Sequence, residues 1–252
     1  MCKTVILCGG TGVRLSEETK QIPKPMVRIG NIPILFHVMQ IYNHYDLNEF
    51  ILTLGYKQEL IRDYFLNFSC HNSDMKVSLR TNNIKFLKRH DYDMEISLID
   101  TGENTLTGNR LLKVAKYIHD DYFCLTYADG VANINLKELI EFHKKHGKLV
   151  TLTAVQNRSK FGTIKVKDNQ VISFIEKPLE ENYINGGFMV MSRKVFEHIE
   201  EGDLTITLNS LSKMNELMCY THLNDWACVD TMRDLNELNE LWNTNKAFWK
   251  IW

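Results

Sequence analysis

The segment TVILCGGTG, residues 4–12, is the most informative part of the chain for the fold, because a short run of β-branched and aliphatic residues ends abruptly in glycines. The apolar part predicts a buried strand, and the glycines predict a loop whose backbone passes close to something bulky or charged. Arg14 follows the loop, and Lys24 lies between Pro23 and Pro25, which restrict the local backbone. Loop N–H groups, a forked guanidinium and an ammonium all bind anions. The segment therefore predicts an anion site suited to a triphosphate.

Two familiar phosphate sites are excluded by spacing. No glycine follows Gly12 at the distance that GxGxxG requires, so a dinucleotide site of that type is not predicted. GxxxxGK[ST] is also absent from the sequence, which excludes a Walker-type nucleotidase. A glycine cluster alone also occurs in ordinary turns, so the rest of the chain has to support the interpretation.

Apolar runs alternate with segments of helical spacing along the first 155 residues. This alternation predicts an α/β fold with a Rossmann-like, mostly parallel sheet covered on both faces. After residue 160 the chain becomes strand-rich, with a predicted β-hairpin over 162–178 that turns at Asp168 and Asn169. We predict one continuous domain over 1–252, with halves of about 1–155 and 156–252. The predicted strands are 4–8, 49–56, 94–102, 122–130 and 149–155, and the predicted helices are 33–45, 57–68, 108–118 and 135–147.

The composition of the chain indicates which partners to expect and in which cellular compartment the protein works. The 252 residues carry a net charge of −1, so no global attraction to nucleic acid or to an anionic membrane is expected. Six cysteines without a CxxC pair favour a reducing compartment. The N-terminus lacks a signal-peptide pattern, and no apolar run approaches 18 residues. We therefore expect a cytoplasmic protein.

Two aspartates follow apolar strand-like runs at the edge of the sheet where α/β proteins bind ligands. Asp129 follows FCLTY, and Asp230 follows DWACV. Each could simply cap a turn, or both could hold a magnesium ion beside bound phosphates. Asp91 and Asp93, in DYD, form another acidic pair, but their charged surroundings favour an exposed stretch.

The segment ILCGGTGVRLSEETKQIPKPMVRIGNIPILFH, residues 6–37, resembles the signature of sugar-phosphate nucleotidylyltransferases. It is most similar to the glucose-1-phosphate cytidylyltransferase family, which shares RLSEET and the lysine-proline-methionine segment. The resemblance covers nearly the whole chain. It continues in GYK, DTGENTLTGNRL, TYADGV, TLTAV, FIEKP, INGGF, DTMRDL and NKAFWKIW.

The resemblance implies a nucleotidyltransferase fold of the GT-A-like type with a C-terminal sugar-binding half. It also implies an enzyme that transfers CMP from CTP to a sugar phosphate, releases pyrophosphate, uses Mg²⁺ and forms homo-oligomers. A CDP-sugar product would feed the synthesis of a capsule or lipopolysaccharide. Matching the family motifs to this sequence implies that the catalytic residues are Lys24, Arg14, Asp129 and Asp230. Both aspartates are implied to be metal ligands. The implied nucleotide site comprises Leu7, Gly9, Gly10, Gly12, Arg14, Thr107, Gly108 and Arg110, and the implied sugar-phosphate site comprises Glu176, Lys177, Asn185 and Gly186.

Departures from the family pattern concentrate on the sugar side. Val13 replaces a threonine and Ala128 replaces a glycine, both small changes. The segment DLTITL, residues 203–208, lacks the tryptophan-glutamate stretch of the family, and Ala227 and Cys228 replace glutamine-proline. We hypothesise that CTP is retained and that the acceptor could be another hexose phosphate, such as fructose 6-phosphate. Transfer from UTP or dTTP, and a catalytically silent regulatory protein, remain open as alternatives.

Histidines and C-terminal aromatics are given structural roles. His143 and His146 share one helix face without a completing ligand, so we expect them to face solvent. His37 lies in an apolar helix and is expected to be a satisfied core residue. The terminal aromatics are expected to dock the tail onto the core or to form a subunit interface. They are Trp242, Phe248, Trp249 and Trp252.

Overall fold

The computed structural model describes residues 2–12, 15, 19–88, 92–158, 163–175 and 179–252. Helices alternate with strands through most of this length. The helices are α1 (Ile34–Asn43), α2 (Gln58–Leu66), α3 (Phe68–Asn72), α4 (Thr107–Val114), α5 (Leu136–His146), α6 (Leu204–Lys213) and α7 (Met232–Asn243). The strands are β1 (Thr4–Leu7), β2 (Arg28–Ile29), β3 (Ile32–Pro33), β4 (Glu49–Leu54), β5 (Asp74–Ser78), β6 (Asn83–Lys88), β7 (Glu95–Asp100), β8 (Tyr122–Tyr127), β9 (Gly130–Ala132), β10 (Val150–Arg158), β11 (Thr163–Lys167), β12 (Gln170–Ile175), β13 (Leu179–Ser192), β14 (Leu217–His222) and β15 (Trp226–Cys228).

Within these residues a seven-stranded sheet runs in the order β14-β10-β13-β8-β1-β4-β7. Only β13 is antiparallel to its neighbours, so the prediction of a mostly parallel α/β sheet is confirmed. Thr4 of β1 pairs with Phe50 on one side and with Cys124 on the other. The carboxyl ends of β1, β4 and β8 consequently meet at one edge, which is where such folds bind ligands.

Both faces of this sheet are covered, and β1 shows how. Its side chains alternate, so that Val5 and Leu7 join one core cluster while Ile6 and Cys8 join the other. The first cluster includes apolar residues of α4 and α6, and the second includes those of α1, α5 and α7. Among the described residues, no helix is long and apolar enough to cross a bilayer.

Local signals fix several boundaries as expected. Asn135 caps α5 by accepting a hydrogen bond from the Glu138 N–H, and Gly147 ends the helix with φ of 66°. The predicted hairpin is present as β11 and β12, with Asp168 and Asn169 at φ of 48° and 65° in its turn.

The expectation that His143 faces solvent is wrong. Its helix face packs on β10, where the ring is buried and Nδ1 lies 2.9 Å from Thr151 Oγ1.

His37 is the satisfied core histidine that the apolar helix predicted. Its Nε2 lies 3.1 Å from the Ile29 carbonyl oxygen, and Trp249 Nε1 donates to its Nδ1 at 3.3 Å. Both His37 and Trp249 have no exposed surface. The C-terminal tail is therefore docked onto α1 through a neutral imidazole, which donates with one nitrogen and accepts with the other.

We expect acidification to weaken this tail contact. Burial lowers the pKa of His37 to about 4, against 6.5 in an unfolded chain. The unfolded chain therefore takes up a proton between pH 6.5 and pH 4 that the folded chain refuses, so stability falls as the pH drops through this window. His37 should contribute about 3 kcal/mol of that loss between pH 7 and pH 4. Urea unfolding across this range measures the slope, which His37→Gln should reduce. His44→Gln, at an exposed histidine beside α1, should leave the slope unchanged, and an equal slope in wild type and His37→Gln would contradict the prediction.

Candidate active site

The glycine loop after β1 forms one wall of a cavity of about 460 Å³ at the carboxyl edge of the sheet. The loop of residues 9–12 faces the segment 105–107 that begins α4, and Asp129 and Asp230 lie beside it. Sequence-predicted residues that line this cavity are Leu7, Gly9, Gly10, Gly12, Lys24, Thr107, Arg110, Asp129 and Asp230.

The loop glycines are required by close approach. A Cβ on Gly9 would lie 2.0 Å from the Arg110 Nη1 atom. Gly12 has φ of +63°, and its Cβ would lie 2.9 Å from the Cβ of Lys24. Gly10 differs, since a Cβ there would meet no atom within 4 Å. The first and third glycines therefore serve packing, whereas the second leaves open space beside the cavity.

Lys24 is the centre of the charge arrangement. Its Nζ donates to Asp129 Oδ2 at 2.6 Å and to Asp230 Oδ1 at 2.7 Å. Burial acts to lower the pKa of Lys24, but the two carboxylates outweigh it and raise the pKa above its ordinary value. Lys24 begins the short 3-10 helix Lys24–Met26, directly after Pro23. The ammonium is thus charged and held at a fixed point.

Pairing of two short strands brings the two aspartates together. Asp129 lies between β8 and β9, and β9 pairs with β15, which ends just before Val229 and Asp230. The Val229 N–H donates to the Asp129 carbonyl oxygen at 3.0 Å. The chain after Asp230 is fixed by a capping box between Thr231 and Asp234 at the start of α7. Two carboxylates from distant parts of the chain thereby converge on one cation.

Arg110 lies near the start of a helix, where an arginine is often an exposed surface charge. Here its side chain is buried, so that interpretation is excluded. Its Nη1 donates to the Leu54 and Gly102 carbonyl oxygens and to the Thr101 hydroxyl, and its Nη2 donates to the carbonyl oxygens of Gly9 and Glu103. The guanidinium therefore joins the glycine loop to the end of β4 and to the loop before α4. A contact with cytosine stays a prediction, since these bonds engage the terminal nitrogens with the protein itself.

We expect Arg110→Met to destabilise the fold and the loop together. The substitution removes all five hydrogen bonds of the guanidinium, at about 0.5–1 kcal/mol each, so the free energy of unfolding should fall by about 3 kcal/mol. Urea unfolding measures this change. Lys113→Met is the matched control, because Lys113 also donates to Thr101 but is exposed, and it should cost well under half as much. Equal losses in the two variants would refute a special role for the buried guanidinium.

Thr107 and Gly108 tie α4 to the segment that precedes α6. Thr107 Oγ1 donates to Asp203 Oδ2 at 3.0 Å and accepts from the Leu204 N–H at 2.8 Å. The Gly108 N–H donates to the Gly202 carbonyl oxygen at 3.0 Å. Asp203 also caps α6 and lines the cavity. Sequence analysis did not single out Asp203 as a site residue, although the Asp-x-Thr capping pattern at 203–205 was a usable signal.

The predicted sugar-phosphate residues are only partly described. Asn185 Oδ1 accepts from the Gly187 N–H at 2.9 Å, and the Gly186 carbonyl accepts from Trp226 Nε1 at 2.8 Å. That carbonyl lies 3.9 Å from the place of a Cβ on Gly130, next to Asp129. Glu176, Lys177 and Arg14 lie outside the described residues, so their roles remain predictions. Asp91 also lies outside them, and Asp93 is exposed as expected.

Comparison with known proteins identifies the family to which the chain belongs. Residues 3–250 match the model of the family described as "Nucleotidyl transferase". The glucose-1-phosphate cytidylyltransferase of Salmonella typhimurium (strain LT2) is 42% identical over 255 residues, which cover 99% of both chains. The enzyme of the same name from Salmonella typhi has the same identity and coverage. The solved inositol-1-phosphate CTP transferase from T. maritima has the same fold, with a TM-score of 0.67, 18% identity and coverage of 100% of this chain and 98% of its own. The resemblance found in the motifs is confirmed, and the chain belongs to the nucleotidyl transferase family of enzymes.

Proposed function

We propose that the protein transfers CMP from CTP to a phosphorylated hexose, with glucose 1-phosphate as the first acceptor to test. The observation that carries the proposal is the Lys24 ammonium, which two carboxylates hold beside a glycine loop and a cavity. Relatives that are 42% identical over their whole length bear the name glucose-1-phosphate cytidylyltransferase. The geometry supports phosphate chemistry, and the relatives support the choice of nucleotide and sugar.

The reaction needs positioning and charge neutralisation more than covalent help. A phosphate oxygen of the sugar phosphate attacks the α-phosphorus of CTP, the bond to the β-phosphate oxygen breaks, and pyrophosphate leaves with that electron pair. The N–H groups of residues 9–12 and the Lys24 ammonium stabilise the anionic oxygens during this exchange. Neither cysteine of the site acts as a nucleophile, because burial raises the pKa of Cys8 and raises that of Cys228 to about 12.

The two aspartates fit a role as ligands of Mg²⁺. Within the described ranges, no three His, Cys, Asp or Glu side chains form a ready-made metal cluster. Magnesium is commonly held by one or two carboxylates together with substrate phosphates, and Asp129 and Asp230 already share one cationic group. When bound, Mg²⁺ would neutralise charge on the phosphates and orient them. Lys24 would then balance the charge of both carboxylates whenever substrate is absent.

The acceptor side of the site departs from the family pattern at three residues. Ile206 is 44% exposed on α6, and Ala227 and Cys228 are half-buried on β15. These apolar groups stand where the family pattern has polar ones, so hydrogen bonds to sugar hydroxyls must come from elsewhere. The names of the relatives favour glucose 1-phosphate, and a hexose 6-phosphate is the alternative that a direct assay can separate.

Pyrophosphate release in the presence of Mg²⁺ tests the proposal. CTP, UTP, dTTP and GTP are crossed with glucose 1-phosphate, glucose 6-phosphate and fructose 6-phosphate. We expect turnover with CTP and glucose 1-phosphate, and mass spectrometry should identify CDP-glucose. Turnover with CTP and only a 6-phosphate would reassign the acceptor. A preference for another nucleotide, or no turnover with any pair, would overturn the proposed transfer.

A further inference from the structure

Asp203 places a third carboxylate in the cavity, apart from the two that hold Lys24. It begins the segment 203–208, in which the sequence departs from the family pattern. Burial acts to raise the pKa of Asp203, but hydrogen bonds from Thr205 and Thr107 outweigh it and hold the pKa below its ordinary value. The cavity therefore contains a fixed negative charge that belongs to this chain rather than to the family motifs.

The glycine loop runs from one end of the cavity to the other. At Gly9 it packs on Arg110 of α4, and at Gly12 it packs on Lys24. Asp203 lies at the α4 end, because it binds the first residue of that helix. Phosphates belong at the lysine end, since an ammonium attracts them and a carboxylate repels them. The α4 end is thus left for the uncharged base, a step that rests on the proposed function because it takes the ligand to be a nucleoside triphosphate.

The hydrogen-bond donors at the α4 end are already engaged with the protein. The Thr107 hydroxyl donates to Asp203, and the Gly108 N–H donates to the Gly202 carbonyl oxygen. The terminal nitrogens of Arg110 donate to five oxygens of the chain. These groups hold the wall of the cavity together, so recognition of the base has to use a group with spare capacity.

Asp203 has that capacity as an acceptor. In the part of the chain that the structure describes, its Oδ1 accepts from the N–H and the hydroxyl of Thr205 at 3.0 and 2.8 Å, and its Oδ2 accepts from Thr107. An ionised carboxylate offers about four acceptor positions on its two oxygens. The remaining position is on Oδ2, the oxygen bound to Thr107, and both residues line the cavity.

We propose that Asp203 selects CTP by accepting a hydrogen bond from the 4-amino group of cytosine. Cytosine and uracil differ at this position, since cytosine presents an N–H donor and uracil presents a carbonyl acceptor. An ionised carboxylate binds the amino group and repels the carbonyl oxygen. Discrimination of this kind is strong, because the wrong base leaves a polar group of the site without a partner. Asp203 is then a specificity-determining residue of the nucleotide site.

Isothermal titration calorimetry with CTP and UTP in the presence of Mg²⁺ tests this assignment without acceptor or turnover. We expect wild type to bind CTP more tightly than UTP by about tenfold or more, as a hydrogen bond to a charged group provides. Asp203→Asn should reduce this preference about 10- to 100-fold, because its amide can donate to the uracil carbonyl. Asparagine caps helices as well as aspartate does, so α6 should persist, which circular dichroism checks. Glu201→Gln removes one charge from an exposed side chain of the same segment and should keep the preference.

A nucleotide without the amino group separates recognition of the base from recognition of the ribose. The triphosphate of 2-pyrimidinone riboside carries a hydrogen at position 4 and is otherwise like CTP. We expect Asp203→Asn to weaken the binding of CTP much more than the binding of this analogue. If Asp203→Asn changes the affinities for CTP, UTP and the analogue by the same factor, the carboxylate acts elsewhere on the ligand and the assignment is overturned.

The assignment and the proposed function can fail separately. A preference for CTP that is unchanged in Asp203→Asn, together with pyrophosphate release by wild type, would overturn the assignment and leave the transfer standing. A preference that depends on Asp203 without pyrophosphate release from any pair of substrates would overturn the transfer and support the recognition of cytosine. A wild-type chain that binds UTP as tightly as CTP would overturn the assignment directly.

Discussion

Replacing Lys24 by alanine should lower kcat about 10³-fold or more while the chain still folds. Removal of a single preorganised donor from a site of developing charge commonly costs a factor of 10²–10³. Here the loss is larger, because Lys24 Nζ also lies 2.6 and 2.7 Å from two carboxylate oxygens. Without the ammonium, Asp129 and Asp230 would present two uncompensated charges to an incoming triphosphate. Pyrophosphate release at saturating CTP and sugar phosphate measures the effect.

Two further variants separate chemistry from folding. Lys24→Arg keeps the charge but not the compact ammonium between two oxygens, so it should recover only part of the activity. Lys20→Ala changes an exposed lysine of the same segment and should leave kcat unchanged. Thermal unfolding of all three variants checks that the fold persists. If Lys24→Ala keeps kcat within tenfold of wild type, Lys24 holds the aspartates in place and takes no part in the transfer.

The spacing of apolar residues was sufficient to predict the architecture. The residues that directly follow the predicted strands were sufficient to locate the site. The buried run at 4–8, the glycines after it and the aspartates that follow two later apolar runs were all placed at one edge of a parallel sheet. That inference works because chain direction alone decides which edge of a parallel sheet a strand end reaches. It could not give the 2.6 Å contact between Lys24 and Asp129, which depends on the 3-10 helix at Lys24–Met26.

Long-range contacts explain what sequence analysis missed. Arg110 was assigned to the nucleotide from a motif, but its acceptors at Gly9, Leu54, Gly102 and Glu103 come from three separate segments. His143 was placed in solvent because no further ligand completes a metal site beside it in the sequence, whereas its partner Thr151 lies on the strand beneath the helix. Hairpin β5–β6 was not predicted, since short runs give little local signal. Helices α6 and α7 were also missed, although the capping box of Thr231 and Asp234 was a usable signal for α7.

Asp230→Asn should lower kcat by a factor of 10²–10³ and weaken metal binding, because it removes one of two converging charges without changing the shape of the side chain. Asp230 does not cap α7, since Thr231 and Asp234 form that capping box. The asparagine variant should therefore fold like wild type. Loss of a carboxylate beside Lys24 also removes one of the two groups that raise the pKa of this lysine, so that pKa should fall.

Binding of Mn²⁺ in the presence of CTP, followed by electron paramagnetic resonance, gives a readout that does not depend on turnover. We expect the apparent Kd for Mn²⁺ to rise at least tenfold in Asp230→Asn. Asp225→Asn, at an exposed aspartate shortly before β15, is the matched control and should change neither Kd nor kcat. The alkaline limb of the pH profile of kcat should also move to lower pH in Asp230→Asn, since deprotonation of Lys24 becomes easier. Unchanged Mn²⁺ affinity together with a shifted pH profile would assign Asp230 to the support of Lys24, and Asp129 would then have to bind the metal without it.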